Sequence, residues 1–149
     1  MTVDNIKRML DAFYQAKRVR DMMPPLPGGI TPAYIHFLDK VQKLARQNGS
    51  VRVSDVSDAL DLPRPGVTRT LNEMERRGLL KKIASDDDGR VTYISVTEEG
   101  AALSDKYNQK HFEALAGYLE GISDEDVECT VRTIEKFYRV MCERRIEDE

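Results

Sequence analysis

Residues 62–100, LPRPGVTRTLNEMERRGLLKKIASDDDGRVTYISVTEEG, limit the possible folds of this chain more than any other stretch, because their apolar period changes twice. From about Arg64 to Arg77 the period is helical, with Val67, Leu71 and Met74 at i, i+4 and i+7 on one face. Gly78 follows where a helix needs a residue that tolerates the left-handed region. The period then falls to two. Leu80 to Ala84 reads as one strand and Arg90 to Val96 as another, with Ser85 to Gly89 as the turn between them. Thr97 is placed to cap a further helix. Helix, hairpin and helix in that order describe a winged helix, a mainly α fold with a small β-hairpin wing (α+β).

The preceding residues supply a partner helix. Ser54 can cap a short helix through Leu60, and Asp61-Leu62-Pro63 is a tight turn into the helix at Arg64. Two helices joined so closely form a helix-turn-helix, whose second helix enters the major groove of DNA. The residues facing outward on that helix are Arg64, Thr68, Arg69, Asn72 and Arg76. Arginine chelates guanine O6 and N7, and asparagine pairs with adenine. The competing reading of each is a solvated face or a phosphate contact. Arg69 and Glu73 are also spaced for a surface ion pair.

The flanking segments read as helices. Residues 4–20 carry an apolar stripe of Ile6, Met9, Leu10 and Phe13. The Pro/Gly-rich stretch from Met22 to Gly29 must be a loop. Thr31 and Pro32 open a helix to about Gln47, and Val51 to Val53 is a short strand able to join the wing sheet. A long helix is expected from Thr97 to about Glu120, broken at Gly121. A last one follows Ser123, with Asp126 placed for a capping box. In it Val127, Val131, Ile134, Tyr138 and Met141 form a narrow seam like that of a coiled coil. The stripes at both ends need cover, either from the chain's own winged helix or from a second copy.

The segment VTRTLNEMERRGLLKK at 67–82, followed by Asp88-Gly89-Arg90 and by Ser95-Val96-Thr97-Glu98-Glu99-Gly100, resembles the MarR family of bacterial transcription regulators. The resemblance implies one MarR-like chain over 1–149, with a winged-helix DNA-binding region at 31–100 and helical dimerisation regions at 1–21 and 101–149. It implies an obligate homodimer that binds a pseudo-palindromic operator in double-stranded DNA and is released by a small ligand or oxidant, and a repressor is the expected role. It places Arg90 in the minor groove, where a narrow A·T-rich groove concentrates negative potential, with Asp88 holding it. It implies a crevice between the winged helix and the dimer helices, which Phe13, Tyr14, Tyr34, His36, Phe37 and His111 would border, suited to a small aromatic ligand. Pro63, Pro65 and Gly66 depart from the family, which often has Ser or Thr there.

Charge distribution agrees with DNA binding better than net charge does. The chain carries −3 overall, yet residues 64–96 hold seven Lys/Arg against five acids, and residues 97–149 hold seven against fourteen. The amino terminus has no run of signal-peptide length and no segment approaches a membrane span, so a cytoplasmic protein is expected. No phosphate loop, dinucleotide fingerprint or nucleophile elbow is present, and the two His and two Cys stand in no metal spacing. No catalytic residue, metal or cofactor is therefore expected, and Cys129 and Cys142 read as buried, inert thiols. The alternative to a DNA-binding regulator is a winged-helix protein-interaction module, favoured by the acid-rich carboxyl half and the aspartates of the wing turn.

Overall fold

The computed structural model describes residues 1–87 and 89–144. Its order is α1 (Val3–Asp21), α2 (Pro32–Asn48), β1 (Val51–Arg52), α3 (Val53–Leu60), α4 (Arg64–Arg76), β2 (Leu80–Ala84), β3 (Thr92–Val96), α5 (Glu98–Ser104), a π-helical turn (Asp105–Lys110), α6 (His111–Ala116), a 3-10 turn (Gly117–Leu119) and α7 (Asp124–Glu143). The three strands form an antiparallel sheet in the order β1-β3-β2, with Val51 opposite Ile94 and Leu80 opposite Val96. The expected winged helix is present among the described residues. No helix of the described residues is long and apolar enough to cross a membrane.

The core sits under the wing and the helix-turn-helix. Tyr34, Phe37, Leu38 and Val41 of α2 pack with Val51, Val56, Val67, Leu71, Met74, Leu79, Leu80 and Ile94. The i, i+4, i+7 stripe of α4 is wholly buried, as its period requires. By contrast, α1, α6 and α7 contain no buried residue.

Local chemistry explains the element ends. Thr31 accepts from the Tyr34 amide with Pro32 in the first turn of α2, and Gly49 ends that helix at φ +79°. Gly78 takes φ +74° after α4, as expected. Asp61 adopts φ +51°, and Ser57 Oγ donates to the Leu62 carbonyl at 2.6 Å, so the helix-turn-helix corner is held from within. Ser123 and Asp126 form the anticipated capping box.

Four expectations need correction. Val53 begins α3 rather than ending β1, and Ser54 lies inside the helix; the Asp55 carboxylate instead accepts from the Arg52 amide at 2.8 Å. That bond, and after it the Arg52 guanidinium, hold the Asp55 carboxyl below the usual range. Strand β3 begins at Thr92, not Arg90: the Ser85 amide donates to the Val91 carbonyl, and a longer connection leads from β2 to β3. The helical path from 98 to 119 is continuous but passes through π and 3-10 geometry. Cys129 and Cys142 are exposed in the single chain, because α7 lies outside the core.

Gly100 has a strict packing reason. The Leu79 carbonyl accepts from Thr97 N, and a β-carbon on residue 100 would stand 2.0 Å from that same oxygen. Backbone must then move, so Gly100→Ala is expected to destabilise the chain at the upper end of roughly 1–3 kcal/mol, read by urea denaturation.

Candidate nucleic-acid interface

The face of α4 away from its buried stripe carries Thr68, Arg69, Asn72 and Arg76, and Arg64 stands at the helix start. Arg64, Arg69 and Arg76 are exposed, and Thr68 and Asn72 are half-buried. No side chain caps the helix at its start: Pro63 occupies the capping position and Pro65 lies in the first turn, where its missing N–H costs nothing.

The acids of α4 are engaged elsewhere. Glu73, the alternative partner of Arg69, instead accepts from the Tyr34 hydroxyl at 2.9 Å. Glu75 accepts from the Lys82 backbone amide at 2.8 Å and so ties β2 to α4. Arginine therefore dominates the outward charge of the helix. Lys82, which the sequence reading did not single out, reaches back across the same junction and donates from Nζ to Asn72 Oδ1. Strand alternation carried that signal: Leu80 is buried, Lys81 exposed, and Lys82 turns toward α4 again.

Arg90 is exposed in the connection between β2 and β3. Asp88, its expected partner, lies outside the described residues.

The six residues expected around a crevice separate. His36 and His111 come together at a cavity of about 680 Å³ between the 23–30 loop, α2 and the π-helical turn. Tyr34 and Phe37 do not line it: they face the core, because α2 is apolar on the side that covers α3 and the sheet. Phe13 packs edge to face on Phe137 at 5.3 Å, joining α1 to α7, and Tyr14 is exposed. The cavity walls are Met23, Pro24, Leu26, Ile30, Ile35 and Phe112, with Arg20, Asp39 and Asn108 among its polar edges. His111 Nε2 is buried without a hydrogen-bond partner. Asn108 donates to the Ile35 carbonyl and to Ser104 Oγ, and Ser104 donates to Gln42, which anchors the π-helical turn to α2. Pairs so distant in the chain left no sequence signal. Among the described residues no group of His, Cys, Asp and Glu is arranged to hold a metal.

The segment that lines the cavity continues to the end of the reading helix. Arg77, at the end of α4, lies 6.0 Å from the Tyr34 ring and packs under Gly29, whose φ is +80°. Ile30 and Pro32 stand between Gly29 and Tyr34 in the chain and line the cavity.

A three-stranded wing, a helix-turn-helix and an arginine-bearing second helix define a winged helix-turn-helix protein. A sequence model described as MarR family (MarR_2) matches residues 29–91. The chain is 23% identical over 125 residues to the HTH-type transcriptional repressor MdtR of Bacillus subtilis, covering 84% of this chain and 78% of that one. Its fold is similar to that of Streptococcus pneumoniae FabT in complex with DNA, with a TM-score of 0.66, 20% identity and 95% and 99% coverage of this chain and of that one. It is also similar to a MepR-like protein complexed with pseudoligands, with a TM-score of 0.68, 20% identity and 97% and 100% coverage. Residues 29–91 thus match the MarR family, and the chain is similar over most of its length to a transcriptional repressor and shares its fold with DNA-bound and ligand-bound proteins.

Proposed function

We propose that this protein is a homodimeric repressor that reads a pseudo-palindromic operator with α4 and releases it when a small aromatic ligand fills the cavity beside α2. The observation that carries the reading is the outward face of α4, with Arg64 and Arg69 exposed while both of its acids are engaged by hydrogen bonds. A gel shift with the DNA upstream of its own gene tests it. A retarded, salt-sensitive complex is expected; a folded protein that retards no duplex would favour the protein-interaction module instead.

Dimerisation is supported by what the single chain leaves uncovered. Ile6 and Leu10 of α1 and Val127, Val131, Ile134, Tyr138 and Met141 of α7 are between 38 and 58% exposed. A second copy laid against these stripes supplies their cover, and an obligate interface of this kind buries above roughly 2,000 Å². Two α4 helices then face successive major grooves, which a two-fold operator requires.

Arg90 is the wing's DNA anchor in this reading. A guanidinium is planar and weakly hydrated, so it enters a narrow groove at lower desolvation cost than an ammonium. Arg90→Ala is expected to weaken operator binding about tenfold and Arg90→Lys less. Neither should alter the circular dichroism, since the wing is held by Ile94 and Val96. Wild-type affinity in Arg90→Ala would remove the wing from the interface.

The cavity size falls within the range of small-molecule sites, and its apolar walls with the unpartnered His111 Nε2 suit an aromatic ring bearing a hydrogen-bonding group. Benzoate serves as the probe. It is expected to raise the melting temperature of the wild type and to weaken its gel shift, and to do neither in His111→Ala. Equal responses in both proteins would place the probe elsewhere.

A further inference from the structure

We propose that Lys82 biases Asn72 of the recognition helix toward reading with its donor end, so that the base it faces is selected as guanine over adenine. The inference rests on the DNA-reading role given to α4 above and specifies what that helix prefers. An asparagine amide has one acceptor, Oδ1, and two N–H donors on Nδ2. Its usual pairing with adenine uses both ends: Oδ1 accepts from N6–H while Nδ2 donates to N7. Here one of the two Oδ1 lone pairs is taken by Lys82, and the ammonium beside it repels the partial positive charge of a second N–H donor. Lys82 Nζ has protons and no acceptor capacity, so its contact with Asn72 must be to Oδ1, and the bond is charge-assisted.

The arrangement is held by backbone. Lys82 N donates to Glu75 Oε2 at 2.8 Å, and Lys82 is paired with Ile94 in the sheet. Its side chain shares a face of β2 with buried Leu80, so strand alternation directs it toward α4. With Oδ1 held by Lys82, Nδ2 is the end of Asn72 left to meet a base, beside an ammonium. Adenine N6–H₂ would meet donors there, whereas guanine offers only acceptors, O6 and N7, on its major-groove edge. Arg69 and Arg76 lie one turn away on either side of Asn72 and add positive charge that favours the same edge.

The test is selection of bound sequences from random duplexes by the wild type, Asn72→Ala, Lys82→Met and Lys82→Ala. The position that Asn72→Ala flattens is the one residue 72 reads. There the wild type is expected to prefer guanine over adenine by roughly tenfold. Both Lys82 variants should free Oδ1 and bring adenine level with guanine or above it, leaving other positions unchanged. Loss of a phosphate contact weakens all sequences alike and does not change a base ratio, so a phosphate role for Lys82 gives a different result. The Lys82 substitutions keep the backbone bond to Glu75, and thermal unfolding checks that each variant folds. The inference is overturned if the wild type prefers adenine at that position, if Asn72→Ala flattens no position, or if the Lys82 variants leave the ratio unchanged; in each case an enriched operator still upholds the regulator reading. If the wild type enriches no duplex, that reading itself fails and the inference falls with it.

Discussion

Replacing Ile134 and Tyr138 together by Asp is expected to turn the proposed dimer into folded monomers. Both residues lie in the α7 seam and are exposed in the single chain, at 43 and 58%. None of the buried core lies on α7, so the winged helix keeps its packing when the seam is lost. In the dimer the two carboxylates would be buried without partners, at several kcal/mol each. Sedimentation velocity should show a halved mass with helical circular dichroism retained. The monomer should also lose most of its operator affinity, because a single α4 reads only half of a two-fold site. A wild type that already sediments as a monomer would contradict this.

The second large effect is expected from Arg64→Ala combined with Arg69→Ala. Each arginine that chelates a guanine edge contributes about 1–3 kcal/mol of discrimination, so the pair together should lower operator affinity by two orders of magnitude or more. Binding to a random duplex of the same length should fall much less, because phosphate contacts elsewhere persist. Both side chains are exposed and neither takes part in the core, so unfolding by urea should be nearly unchanged. Equal loss on operator and random DNA would make the two residues phosphate contacts instead.

The recognition helix was legible because its period is unambiguous: Val67, Leu71 and Met74 share one stripe, and Gly78 ends it in the left-handed region. The cap of α7 at Ser123 was legible for a similar reason, since its signal is wholly local. Boundaries failed where two local signals compete. Ser54 is a good capping residue, but Asp55 lies three positions after Arg52 and captures its amide, so the helix starts two residues earlier and takes Val53 from the strand. The wing strand was drawn too long because Val91 continues the alternation, while the connection keeps residues 90 and 91 out of the ladder with β2.

The candidate sites divide in the same way. Outward positions on α4 followed from helical geometry. Periodicity marks Tyr34 and Phe37 as apolar-facing without saying what they face, and they cover the core rather than the cavity. His36 and His111 meet only because the π-helical turn is anchored on α2 through Ser104 and Asn108, contacts between distant segments that no local pattern encodes. The thiols expected to be buried are exposed because the seam that would bury them faces away from the chain's own core.

The most direct test is the affinity of the purified protein for one duplex enriched from a random pool, titrated by fluorescence anisotropy at several salt concentrations beside a duplex of scrambled sequence. Two chains per enriched duplex are expected. Affinity should fall linearly with the logarithm of salt, at a slope set by the phosphates contacted, and the enriched duplex should be preferred by at least roughly a thousandfold. A dimer that binds both duplexes alike, or neither at low salt, would contradict a sequence-reading regulator and leave the winged helix as a surface for another protein.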